Sequence, residues 1–127
     1  MTTWKFDLHN HVNGDPQDNI VHSAEDLIQK AAEEDYSAIA LTPHLHQLSW
    51  DSAQEKAQDL GILLIEGVEI TLQGRHILVL GMDPKDTEDI QNPAELHRLL
   101  RTPRPRTDRR HRAKRTLRKP ALFDSSC

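Results

Sequence analysis

"FDLHNH", residues 6–11, carries a short strand-like run into two histidines one residue apart. The pattern recurs along the chain: "IALTPH" (39–44) ends on His44, and "GVEIT" (67–71) holds Glu69 inside an apolar run. In parallel α/β folds the C-terminal ends of strands are where active sites collect. Three such ends, supplying His9, His11, His44 and Glu69, predict a metal site assembled at the top of one sheet.

The segments between them read as crossovers. Trp4–Leu8 is a short first strand, and Ser23 precedes "AEDLIQKAAEED", where Ala24, Leu27, Ile28 and Ala31 recur at helical spacing. Asp26, three residues after Ser23, makes a capping box with Asp in place of the usual Glu. "SAIALT" (37–42) is a buried strand stopped by Pro43, and Asp51–Leu60 is a second helix closed by Gly61. "ILLIEGVEI" (62–70) and "HILVLG" (76–81) are third and fourth strands around the turn "LQGR", and Asn92-Pro93 opens a last helix, "AELHRLLR". Strand, helix, strand, helix, strand is the βαβ order of a parallel sheet.

Alternation with period two sets His9 and His11 on one face of a strand, within reach of one cation, with Asp7 available to orient an imidazole from behind. An unpaired carboxylate in an apolar strand is costly, so Glu69 needs either a metal or a partner Lys or Arg to keep it ionised. Glu66, three residues earlier, points to the opposite face. His76 follows Glu69 by seven residues and is either returned to the same neighbourhood by a hairpin or a mere turn residue; Asp15, in "NGDPQD", is a carboxylate ligand over the strand ends or an ordinary turn former. Asp18, His22 and His46 are weaker candidates, and His97 and His111 read as solvated. Mixed imidazole and carboxylate ligands without thiolates suit Zn²⁺, Mn²⁺ or Fe²⁺ and argue against a zinc finger. No Walker loop, nucleophile elbow or dinucleotide fingerprint is present.

The formal charge of −4 hides two opposed halves. Residues 1–97 hold 18 of the 20 acidic residues, whereas residues 98–127 hold 11 of the 16 Lys/Arg and only Asp108 and Asp124. Composition changes at Thr102, dividing the chain into a domain over 1–101 and an Arg/Pro-rich tail over 102–127 that is expected to be disordered. Cys127 is the only cysteine, which excludes an internal disulfide. With no basic-then-apolar leader and no apolar stretch of membrane-spanning length, a soluble cytoplasmic protein is expected, and no oligomeric state follows.

"DLHNH", "ALTPH", and "GVEIT" followed by "GRHILVLG" resemble, in order and spacing over residues 4–101, the first motifs of the PHP (polymerase and histidinol phosphatase) superfamily. The resemblance implies a partial, distorted (β/α) barrel, with the first three or four strands and their crossover helices present. It implies metal-dependent phosphoesterase chemistry, in which metal-activated water hydrolyses a phosphomonoester or phosphodiester. His9 and His11 would ligate a first metal, Glu69 would bridge to a second, and His44, beside Asp15, would serve a third; His76 matches the histidine after the glutamate motif. Arg75 is the candidate for stabilising charge on the reacting phosphate.

Family members continue into a histidine-proline motif and an aspartate-x-histidine motif, and neither occurs after residue 101 here. The sequence therefore reads as the first half of a barrel, with an unpaired strand edge and a reading frame that shifts near residue 101. Translating the two other downstream frames tests that expectation. The alternative to an enzyme is a non-catalytic metal- or polyanion-binding fragment whose basic tail contacts nucleic acid.

Overall fold

The computed structural model describes residues 3–44, 49–82, 84–102 and 121–125. Its elements are β1 (Phe6–Asp7), α1 (Ala24–Glu33), β2 (Ala38–Leu41), α2 (Asp51–Leu60), β3 (Leu63–Leu72), β4 (Arg75–Leu80), a 3₁₀ turn (Pro84–Thr87), α3 (Pro93–Arg101) and β5 (Ala121–Ser125). They build one five-stranded sheet in sequence order. Strands β1, β2 and β3 are parallel, and β4 and β5 are each antiparallel to the preceding strand. The result is the partial α/β barrel that the sequence predicts.

Local chemistry explains the boundaries. At α1, Ser23 Oγ accepts from the Asp26 N–H at 3.0 Å and Asp26 Oδ2 accepts from the Ser23 N–H at 3.1 Å, so both arms of the capping box form. Gly61 ends α2 in the left-handed region, with φ of 74°. Asn92 caps α3 by accepting from the Glu95 N–H, with Pro93 at the first helical position. The β3–β4 hairpin turns on Gln73 and Gly74, at φ of 52° and 77°, two consecutive positive values that match the twist of the flanking strands.

Each face of the sheet has its own core. Ile39, Leu41 and Leu64 point to the helix side, where they bury Ile28 and Ala31 of α1 and Ala53 and Ala57 of α2. Further along, Val68, Ile70, Leu72 and Val79 pack on Leu96 of α3. On the opposite face Ala38, Ala40, Ile65 and Leu80 meet Leu8 in a smaller cluster. Glu66 falls on the helix side as expected, where its Oε2 accepts from Gln54 Nε2 at 2.9 Å. Glu69, one register step out of phase with Val68 and Ile70, shares the other face with Ile65.

Two expectations need revision. Strand β1 is only two residues long and stops at Asp7, so His9 and His11 lie in the loop beyond it. The segment 102–127 is not uniformly irregular: Ala121–Ser125 forms β5, which pairs with β4 in the register His76↔Ser125 to Leu80↔Ala121. The open edge of β4 offers a row of backbone donors and acceptors, and pairing satisfies them. Residues 103–120, including His111, and residues 45–48, including His46, lie outside the described residues.

Candidate metal centre

The site grows from the ends of the three parallel strands. Past Asp7 the chain is clamped to the end of β2 by Asn10, whose Nδ2 donates to Asp7 O at 3.2 Å and Ala40 O at 3.0 Å. Its backbone is tied to fully buried Thr42: Thr42 N–H donates to Asn10 O at 2.9 Å, and the Thr42 hydroxyl lies 3.2 Å from both Asn10 N and Asn10 O. With Asn10 fixed from behind, the histidines on either side of it turn their rings the other way. Asp7 serves the backbone rather than a ring, since its Oδ1 accepts from the His9 N–H at 3.2 Å.

Pro43 interrupts β2 because it has no N–H, yet its carbonyl accepts from the Glu69 N–H at 2.9 Å. An isolated parallel bridge then joins His44 to Glu69. Two residues far apart in sequence are thereby held side by side by backbone geometry alone. Both are buried.

Glu69 Oε1 is the meeting point. It lies 3.2 Å from His9 Nε2, 3.2 Å from His11 Nε2 and 3.0 Å from His44 Nε2. His9 Nε2 and His11 Nε2 are themselves 3.1 Å apart. On the other side of the same rings sits Asp15. Its Oδ2 accepts from His11 Nδ1 and from the His44 N–H, both at 3.0 Å, and its Oδ1 lies 2.9 Å from His44 Nδ1 and 3.0 Å from the Gln17 N–H. Burial alone would raise the Asp15 carboxyl pKa; the Gln17 N–H, the His11 ring and the His44 backbone and ring outweigh it and hold the group well below the ordinary carboxylate range.

Asp15 is therefore an ionised acceptor that faces the Nδ1 atoms of both His11 and His44. The Nε2 atoms of His9, His11 and His44 crowd one oxygen of a buried carboxylate, an arrangement that positive charge at the cluster would stabilise. Ligands bound about 2.0–2.2 Å from one ion lie roughly 2.8–3.6 Å from each other. The 3.1–3.2 Å spacings among His9, His11 and Glu69 fall in that range and fit one divalent transition-metal ion, while His11, Asp15, Asp18 and His44 form a second donor group on the other side of the rings.

His76 reaches the other side of Glu69, with Nδ1 at 3.7 Å from Oε2 and 3.4 Å from Thr71 Oγ1. Thus His9, His11, Asp15, His44, Glu69 and His76 converge in one region. Arg75 does not join them. In the hairpin register Thr71 pairs with His76 and Leu72 with Arg75, so alternation puts Arg75 on the face of Leu72, Ile70 and Ile77, away from Glu69 and His76. Asp18 was underrated by the sequence reading: its Oδ2 lies 3.4 Å from His44 Nδ1 and 3.6 Å from His11 Nδ1. Its position three residues after Asp15 in one turn was the available signal. Asn10 and Thr42 left no signal, because their roles exist only once the β1 and β2 ends are adjacent.

Comparison with known proteins agrees with this geometry. A family model for the PHP domain matches residues 7–115. The chain belongs to the PHP domain family. Over 62 residues this PHP chain is 42% identical to an error-prone DNA polymerase from Symbiobacterium thermophilum, a match that covers 48% of the chain and 6% of the polymerase. Among solved structures, it is similar to a protein assigned as a metal-dependent phosphoesterase from Bifidobacterium adolescentis, with a TM-score of 0.56 and 24% identity, covering 67% of this chain and 30% of that one. It is also similar to an amidohydrolase from Chromobacterium violaceum solved with bound sulfate and no metal, with a TM-score of 0.54 and 27% identity, covering 75% and 32%. The PHP chain thus spans about a third of the length of these two structures. No helix among the described residues is long and apolar enough to cross a membrane.

Proposed function

We propose that this PHP domain hydrolyses a phosphate ester at a centre built from two adjoining donor groups, His9, His11 and Glu69 on one side and His11, Asp15, Asp18 and His44 on the other. The observation that carries the reading is the convergence of three imidazole Nε2 atoms on Glu69 Oε1 within 3.2 Å. A divalent cation bound there would supply an acidified water and offset negative charge at phosphorus. The two imidazoles of His9 and His11 and the single carboxylate of Glu69 would leave a dication with net positive charge, which suits an anionic ester. Imidazole and carboxylate donors without sulfur favour Zn²⁺, Mn²⁺ or Fe²⁺.

Glu69 Oε2, directed toward His76, marks the side on which a further cation would bind, with up to three in a site of the family's kind. Asp18, largely at the surface, borders the cluster where substrate would approach. The related C. violaceum fold holds sulfate, a tetrahedral anion of phosphate's shape, which supports an oxyanion substrate.

The test is hydrolysis of an aryl phosphomonoester and a bis-aryl phosphodiester with Mn²⁺, Zn²⁺ or Fe²⁺ added to metal-stripped protein. The proposal expects metal-dependent turnover of one class that falls at least roughly 100-fold in Glu69→Gln. Metal-independent turnover, or a fully active Glu69→Gln, contradicts it.

A second reading rests on charge. Eleven Lys/Arg against two acidic residues after residue 97, in a chain similar to part of a DNA polymerase, favour contact with a nucleic-acid backbone by the tail. Its sign is a binding constant for single-stranded DNA that falls steeply with salt and collapses when Arg109, Arg110 and Arg112 are replaced by Gln.

A further inference from the structure

We infer that the face of the sheet opposite the helices, at the β1 end where Phe6, Ala38 and Leu63 form one row, is the contact surface of a two-fold symmetric dimer of this chain. The surface lies away from the metal centre, and the inference does not depend on the reaction proposed there.

Strand register locates the row. Paired residues of adjacent strands point to the same side of a sheet, and Phe6 pairs with Ala38, which pairs with Leu63. Two residues further along each strand are Leu8, Ala40 and Ile65, the small cluster on the face without helices. Lys5 marks the other side: its Nζ donates to Glu34 O at 3.0 Å and lies 4.4 Å from the centroid of the Tyr36 ring, at the end of α1. Alternation therefore turns Phe6 away from the helices. Trp4 precedes it by two residues. Phe6 is 58% exposed, Leu63 38% and Trp4 69%, which makes them three of the five exposed large hydrophobics among the described residues.

A contiguous apolar patch of a few hundred Å² marks an interaction site. The exposed parts of Trp4, Phe6 and Leu63 amount to roughly 300 Å² per chain. Each partner in a standard interface contributes about 800 Å², more than half of it apolar, so the patch forms the centre of a weak, reversible contact. The chain itself offers no cover for it. β5 lies at the opposite end of the sheet, and residues 103–120 carry nine Lys/Arg and, besides proline, only Ala113 and Leu117 as apolar side chains. A second copy does offer one. Two-fold symmetry sets like against like, which an uncharged apolar row accepts and a charged one opposes. Leu63 is six residues before Glu69 on β3, about 20 Å along an extended strand, so the pairing leaves the metal centre open.

Sedimentation velocity of the 127-residue chain across the micromolar range should show a monomer–dimer equilibrium that stops at the dimer. Leu63→Lys should raise its dissociation constant at least about 10-fold and leave Zn²⁺ uptake unchanged. A second arm needs no disruptive change. In a Cys127→Ser background, Leu63→Cys and Phe6→Cys should each be joined to a second copy by a short bis-maleimide, whereas Gln29→Cys, exposed on α1, should not. A monomer at every concentration, growth into larger species with no dimer plateau, or undiminished association of folded Leu63→Lys overturns the inference. So does crosslinking of Gln29→Cys as efficient as that of Leu63→Cys, and this comparison decides the matter if Leu63→Lys does not fold.

Discussion

His44 Nε2 lies 3.0 Å from Glu69 Oε1, and the same two residues form an isolated β-bridge through their backbones. Side-chain contact and backbone pairing are thus one feature. The sheet resumes after Pro43 for a single residue, which is the residue that carries the imidazole. Anything that disturbs pairing near Glu69 should therefore disturb the site.

Gly67 provides that test. A Cβ there would sit 2.7 Å from Val79 O and 2.9 Å from Leu80 Cδ2, two residues from Glu69. Backbone oxygen cannot move without breaking the β3–β4 pairing, so Gly67→Ala should cost about 1–3 kcal/mol. Urea unfolding measures the loss, and a matching drop in divalent-ion affinity is expected because the Glu69 carboxylate shifts with its strand.

Asn10 carries the second prediction. It joins the histidine loop to the end of β2 through bonds to Asp7 O and Ala40 O. Asn10→Ala leaves those carbonyls without this donor and should cost about 1–3 kcal/mol. Metal affinity should fall as well, although Asn10 touches none of the converging Nε2 atoms. An Asn10→Ala protein with wild-type stability and metal affinity would show that the clamp does not position the histidines.

These two residues also show where the sequence stops being informative. Elements with a local cause were legible: the Ser23–Asp26 capping box, Gly61 at a helix end, and the apolar runs of β2, β3 and β4. So were His9, His11, His44 and Glu69 as a converging group, because strand ends in a parallel sheet share one edge. Arg75 was misplaced because its face depends on the two-residue turn at Gln73-Gly74, which sets the hairpin register. Asp18 was discounted because an acidic residue in a turn looks the same whether or not imidazoles lie above it.

The acid limb of stability gives a third prediction. Backbone and side-chain hydrogen bonds with Ser23 hold Asp26 below its ordinary value of 3.8. A depressed folded-state pKa means that the charged form is the stabilising one. Its contribution is complete above the unfolded value and is lost as pH falls through the folded value. Thermal unfolding between pH 5 and pH 2 should show a shallower decline in Asp26→Asn than in wild type. Ser23→Ala, which removes the cap itself, should cost about 1 kcal/mol at neutral pH.

A fourth prediction concerns the sheet edge. In strand order β1 is terminal, and Phe6 and Trp4 beside it are 58% and 69% exposed. Exposed apolar edges promote self-association, and charges suppress it. Sedimentation velocity should show concentration-dependent association that Phe6→Lys reduces. Equal association in both proteins would place the contact elsewhere.

Equilibrium dialysis of metal-stripped, folded protein against Zn²⁺ or Mn²⁺, followed by elemental assay, is the most direct test of the centre itself. Protons and the cation compete for the same nitrogen lone pairs, so uptake should release protons and weaken as pH falls. The account predicts at least one tightly held ion per wild-type chain and its loss in Glu69→Gln. A well-folded wild-type chain that takes up no divalent ion, or a Glu69→Gln chain that holds it equally well, would contradict the account.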